Sequence, residues 1–124
     1  MENKIYEDDL IYIEFEKSEI PWLKIFPIKK VKELSECDDM TRKKLFDVML
    51  LIERQMLLYY NPTKINIASF GNYLPHLHIH VMARFAEDSY FPEPMWGKKQ
   101  REARLNLPDF ETFKQRLLKQ LPLL

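Results

Sequence analysis

Cysteine is nearly missing from this 124-residue chain, and glycine is almost as scarce. The single cysteine, Cys37, cannot form an internal disulfide, and a lone thiol suits a reducing compartment. It lies in the polar run Ser35-Glu36-Cys37-Asp38-Asp39 with no feature that would depress its pKa, so it reads as a loop thiol rather than a nucleophile. Only two glycines occur, Gly71 and Gly97, which makes each one informative. Net charge is absent as well, because 19 basic and 19 acidic residues cancel. A broad basic surface for nucleic acid is thereby disfavoured, although a local patch remains open. The most apolar stretch, Leu45 to Tyr60, is interrupted by Asp47, Glu53 and Arg54 and does not span a bilayer. The N-terminus is too polar and acidic for a secretory signal, so a cytoplasmic location is expected.

With 46% hydrophobic residues the chain can build a real core. No internal repeat and no linker divides it. A single domain over 1–124 is expected, with a core at about 9–97.

Asp9 to Glu16 alternates, with Leu10, Tyr12, Glu14 and Glu16 on one face and Ile11, Ile13 and Phe15 on the other. A turn over Lys17 to Pro21 leads to a second extended segment, Trp22 to Ile28, and the two form a hairpin. Asp38 or Asp39 can cap a helix starting near Met40. Its apolar face comprises Leu45, Met49, Ile52, Met56 and Tyr60, widened by Val48, Leu51 and Tyr59, and Asn61-Pro62 stops it. Such a rod is about 30 Å long and can cover one face of a small sheet. Lys64 to Phe70 and His76 to Phe85 read as further strands, separated by a turn at Gly71-Asn72. After a polar stretch from Glu87 to Asn106, Pro108 opens a C-terminal helix over about 108–121. The basic residues Lys98, Lys99, Arg101 and Arg104 in this region read as a solvated face. The order predicts an α+β domain with a mostly antiparallel sheet of four to five strands, one long helix and a C-terminal helix.

All three histidines fall within His76-Leu77-His78-Ile79-His80. In a strand the imidazoles share one face, while Leu77, Ile79 and Val81 pack on the other. Three polar rings on a core face would be buried without visible compensation, so the histidine face reads as chemistry. One metal ion cannot take all three, since His76 and His80 have α-carbons roughly 13 Å apart in a strand. Two could chelate, with carboxylates completing the set. The rival reading is catalysis by a neutral imidazole acting as nucleophile toward phosphorus, its neighbours donating to phosphoryl oxygens and to the leaving group.

The run His76-Leu77-His78-Ile79-His80-Val81-Met82 resembles the His-φ-His-φ-His-φ-φ signature (φ apolar) of the histidine triad hydrolases and transferases, with every position filled. The approach from Lys64 to Pro75, the exit Ala83-Arg84-Phe85 with Phe91 to Gly97, and the strand from Ile20 through Pro27 are similar to that family too. The likeness covers roughly Phe15 to Gly97 and is greatest to short bacterial members described as diadenosine-polyphosphate hydrolase-like. It implies that His78 is the nucleophile on the α-phosphorus of a purine nucleotide, flanked by His76 and His80. It implies that Asn66 contacts phosphate or sugar, that Asn72 lies near the bridging oxygen, and that Gly71 lets backbone amides approach phosphate. Glu16 or Glu14 would contact ribose. Trp96 matches a position near the site, where a buried aromatic anchor is the other reading. The stretch Pro27-Ile28-Lys29-Lys30-Val31 lacks the further histidine many members have, and the paired cysteines of a structural zinc site are absent.

The function expected from the resemblance is hydrolysis or nucleotidyl transfer on a diadenosine polyphosphate or nucleoside phosphoramidate, through a nucleotidyl-histidine. No cofactor is required, although magnesium can accompany a polyphosphate. A homodimer is expected, with the long helix and a central strand at its interface. A nucleotide-binding scaffold with little turnover and a two-histidine metal module are the alternatives. Action on nucleotide-capped DNA ends is weakened by the zero net charge.

Overall fold

The computed structural model describes residues 3–124. Five strands, β1 (Lys4–Glu7), β2 (Ile11–Phe15), β3 (Trp22–Pro27), β4 (Lys64–Ala68) and β5 (Ile79–Arg84), form one sheet in the order β1-β2-β3-β5-β4. Every neighbouring pair is antiparallel. The long helix α1 (Asp39–Tyr60) connects β3 to β4 and lies on one face of the sheet, and α2 (Phe110–Gln120) packs against α1. The fold is α+β, as the element order predicts. Among the described residues no helix is long and apolar enough to cross a membrane.

Alternation sorts the two faces. Ile11, Ile13, Leu23, Ile25 and Val81 are fully buried and meet Leu45, Val48, Ile52 and Met56 of α1, which are fully buried too. The opposite face carries Tyr12 and Glu14 of β2, their register partners Phe26 and Lys24 of β3, and His80 of β5 beside Lys24. Helix α1 begins where its sequence says it should. The Asp38 carboxylate accepts the Thr41 N–H at 2.8 Å, and Asn61 ends the helix in a left-handed conformation, φ 49°.

Four boundaries differ from the sequence reading. Strand β1 precedes the alternating segment. It is only four residues long, bulged between Lys4 and Tyr6, and none of its residues is fully buried, so it has no period to detect. The ladder of β5 starts at Ile79 rather than His76. The His76 and Leu77 amides are instead taken by the Leu74 and Val31 carbonyls, both at 2.8 Å. Strand β4 ends at Ala68 rather than Phe70, where the Ser69 hydroxyl donates to the His78 carbonyl at 2.7 Å in place of a ladder bond. Finally, α2 begins after Pro108, because Asp109 is the residue whose carboxylate accepts the Thr112 N–H, at 3.0 Å.

Candidate active site

A cavity of about 620 Å³ opens on the sheet face away from α1. Its floor is made by Glu14, Glu16, Lys24, Phe26, His78 and His80, and its rim by Phe70, Gly71, Asn72, Tyr73, Leu74 and Trp96. Gly71 adopts φ +70°, a left-handed turn that folds the 70–74 segment over the cavity mouth. Lys24 sits between two carboxylates, 2.9 Å from Glu16 and 3.9 Å from Glu14.

The three imidazoles keep to one side of the sheet but do not play equivalent parts. His78 stacks on Phe26 with centroids 4.9 Å apart, and its ring lies 4.8 Å from that of His80. His76 packs against Phe26 and Tyr12 and does not line the cavity.

Each ring's hydrogen-bond partner fixes the tautomer of its neutral form. A carbonyl only accepts, so His76 carries hydrogen on Nε2, which meets the Pro27 carbonyl at 2.8 Å. By the same logic His78 carries hydrogen on Nδ1, which meets the His76 carbonyl at 2.8 Å. An indole N–H only donates, so His80 Nδ1 is bare where Trp22 Nε1 approaches at 3.0 Å, and its hydrogen is on Nε2. Among the described residues no sealed side-chain nitrogen or oxygen lacks a partner, and the Nε2 atoms of His78 and His80 bond no protein group. Both therefore face the open cavity, one with a lone pair and the other with a hydrogen. Burial, then the neighbouring His78 and Lys24, push the His80 pKa down to about 4 against a smaller opposing pull from Glu16. His80 is neutral at physiological pH.

The sequence-predicted residues divide accordingly. His78, His80, Gly71, Asn72 and Glu16 are brought together, and Glu14 joins them, so both candidate acids reach the cavity. Asn66 lies outside it. It shares the face of His80 but pairs in register with Met82, and its side-chain oxygen accepts from Arg84 at 2.8 Å. Trp96 is half exposed at the rim, edge-on to His80 at 4.9 Å, to Phe70 at 4.7 Å and to Trp22 at 5.2 Å, rather than a buried anchor.

Sequence reasoning missed Trp22, Lys24 and Phe26. Their extended segment was visible, but not the pairing that sets Trp22 against a histidine 58 residues away or Lys24 and Phe26 against the same face. It also missed what holds the Trp96 loop. Arg84 and Asp88, 1% and 0% exposed, pair through Nε–Oδ2 at 2.9 Å and Nη2–Oδ1 at 3.1 Å, and Arg84 also donates to the Glu93 carbonyl at 2.7 Å. The Asp88 carboxylate accepts the amides of Phe85, Tyr90 and Phe91. Arg101, read as part of a solvated basic face, donates instead to the carbonyls of Asp88 and Phe91 at 2.6 and 2.8 Å. Among the described residues no group of three His, Cys, Asp or Glu side chains is arranged to hold a metal ion.

The family model described as HIT domain matches residues 1–87. Among solved structures, the chain is similar to a histidine triad protein from Bradyrhizobium japonicum, with 27% identity and a TM-score of 0.78 over 95% of this chain and 89% of that one. It is also similar to a histidine triad (HIT) protein from Sinorhizobium meliloti, with 28% identity and a TM-score of 0.75 over 94% and 87% of the two chains. A histidine triad protein from Marinobacter aquaeolei shows 25% identity and a TM-score of 0.72 over 98% and 87%. Among curated proteins none matches.

Proposed function

The chain belongs to the HIT domain family, and from that premise we propose that it is a nucleotide hydrolase or nucleotidyl transferase acting at the α-phosphate of a purine nucleotide conjugate. The observation that carries this reading is the state of His78. Its Nδ1–H is committed to the His76 carbonyl, and its Nε2 lone pair is unpartnered at the cavity. A neutral imidazole so held is a nucleophile toward phosphorus.

In the proposed reaction Nε2 of His78 forms a bond to the α-phosphorus. The bond to the leaving group breaks, and the leaving atom departs with its electron pair and takes up a proton from solvent. The nucleotidyl-imidazolium keeps its Nδ1 hydrogen, and the His76 carbonyl facing it stabilises the positive charge. Water then attacks phosphorus, releases the nucleotide and restores His78. His80 Nε2–H is the donor available to a phosphoryl oxygen. Gly71 and Asn72 would face the phosphates, Glu16 and Glu14 the ribose hydroxyls, and the aromatic rim of Phe70, Tyr73 and Trp96 the base. Asn66 adjoins the site beside Phe70 and Trp96, with its side-chain oxygen already taken by Arg84. The chemistry calls for no resident cofactor, and magnesium can arrive with a polyphosphate.

The test is turnover on adenosine phosphoramidates and diadenosine polyphosphates, with and without a chelator. Turnover insensitive to chelation is expected. Binding without turnover contradicts the reading in favour of a scaffold, and turnover lost to chelator and restored by zinc contradicts it in favour of a metal module.

The same reading includes a homodimer. Helix α1 exposes Phe46, Leu50 and Leu57, and β4 is an edge strand with Ile67 43% exposed. Together these make an apolar surface next to unpaired strand backbone, which natural proteins seldom leave open. Sedimentation is expected to give about twice the 15.1 kDa chain mass, and a monomer at micromolar concentration contradicts it.

A further inference from the structure

Trp22 takes no part in the reaction as proposed, yet it makes the one side-chain hydrogen bond to His80 among the described residues. It comes from β3, the strand paired directly with β5. Its indole is fixed from two sides, edge-on to Trp96 with centroids 5.2 Å apart and to His80 at 5.7 Å. The indole N–H therefore has a set direction, and it ends 3.0 Å from His80 Nδ1. The charged and titratable groups bearing on His80 are His78 ahead of β5, Lys24 from β3 and Glu16 after β2. The rings of Phe70 and Trp96 around it carry no charge and make no hydrogen bond to its second nitrogen.

We propose that Trp22 is a positioning residue of the nucleotide site: its indole N–H locks His80 in the Nε2–H tautomer, so that His80 meets a phosphoryl oxygen as a neutral hydrogen-bond donor. The opposite tautomer would present a lone pair at the same point and repel that oxygen. A hydrogen bond at one ring nitrogen decides what the other can do, and here the deciding partner is a group that cannot titrate. A donor at Nδ1 favours the neutral ring, in the same direction as the burial and the neighbouring His78 and Lys24 that push the His80 pKa down. The identity of the oxygen His80 meets rests on the nucleotide reading above, whereas the tautomer does not.

The experiment is nitrogen NMR on histidine-labelled protein, in which two-bond proton couplings distinguish protonated from bare ring nitrogens, together with steady-state kinetics. Wild-type His80 is expected to show a bare Nδ1 and a protonated Nε2 at neutral pH. Trp22→Phe keeps an aromatic ring and removes the donor. His80 should then populate both tautomers and its pKa should rise. Partners that orient metal-ligating imidazoles are worth on the order of 10- to 100-fold; a loss of the same order is expected here, falling on kcat with KM little changed. Trp22→His restores a donor and should recover part of both readouts, including where Trp22→Phe folds poorly. A wild-type His80 protonated on Nδ1, or a Trp22→Phe protein with unchanged tautomer and kcat, overturns the proposal. Absence of turnover in the wild type defeats the nucleotide reading instead, and the nitrogen spectra still decide whether Trp22 sets the tautomer.

Discussion

His78→Ala is expected to lower hydrolysis of nucleoside phosphoramidates or diadenosine polyphosphates by about 10⁴-fold or more, while nucleotide affinity stays within about threefold. The size of the effect follows from the geometry. His78 is the one ring whose lone pair faces the cavity, since His80 presents a hydrogen there and His76 is turned to the Pro27 carbonyl. No neighbouring group can take over the attack. Binding should survive because the walls that would hold base, sugar and phosphate belong to β2, β3 and the 70–74 turn. His80→Ala should cost less, because it removes a donor and leaves the nucleophile. Steady-state kinetics and calorimetric titration with a non-hydrolysable nucleotide check both. A His78→Ala protein that retains more than a tenth of wild-type turnover contradicts the assignment.

Arg84→Met is expected to destabilise the protein by about 3–5 kcal/mol, measured by urea denaturation. The methionine roughly fills the volume but leaves Asp88, 0% exposed, without its cation, and leaves the Glu93 and Asn66 oxygens without a donor. Small domains have only about 5–15 kcal/mol in total, so this one contact is a large fraction. The acid side of the stability curve should change as well. Burial alone would raise the Asp88 pKa, but Arg84 and the amides of Phe85, Tyr90 and Phe91 overcome it and hold the carboxyl at about 2, below its ordinary 3.8. A folded-state pKa depressed in this way contributes stability that is complete above the unfolded value and is lost as pH falls toward the folded one. Wild-type stability should therefore drop between about pH 4 and 2, and the drop should shrink in Arg84→Met. Because the same network anchors the loop bearing Trp96, the variant should also bind nucleotide more weakly. A loss below about 1 kcal/mol would mean the network contributes little.

The histidine face was more legible in the sequence than the walls around it. Three histidines at alternate positions marked one face of a strand, and His78 and His80 line a cavity there. Helix α1 was legible to within one residue at its start, since Asp38, the apolar period and Asn61-Pro62 act within a few residues of one another. What escaped was non-local. Trp22 and Lys24 lie in an ordinary alternating strand, and only the β3–β5 register sets Lys24 beside His80. The pairing of Arg84 with Asp88 is not visible in sequence either, because it takes the loop from Ser89 to Gly97 to enclose it. Asn66 shares the face of His80, but sequence spacing does not reveal that Arg84 would take its side-chain oxygen. His76 was grouped with the other two rings by strand alternation, and the loop bonds that end β5 at Ile79 turn it away from the cavity.

The most direct measurement is intact-mass spectrometry of the protein quenched in alkali during turnover of an adenosine phosphoramidate or a diadenosine polyphosphate. The account predicts a species heavier by one adenylate, mapped by digestion to His78 and absent from His78→Ala. An adduct on another residue, or steady turnover with no adduct at any time point, would contradict it.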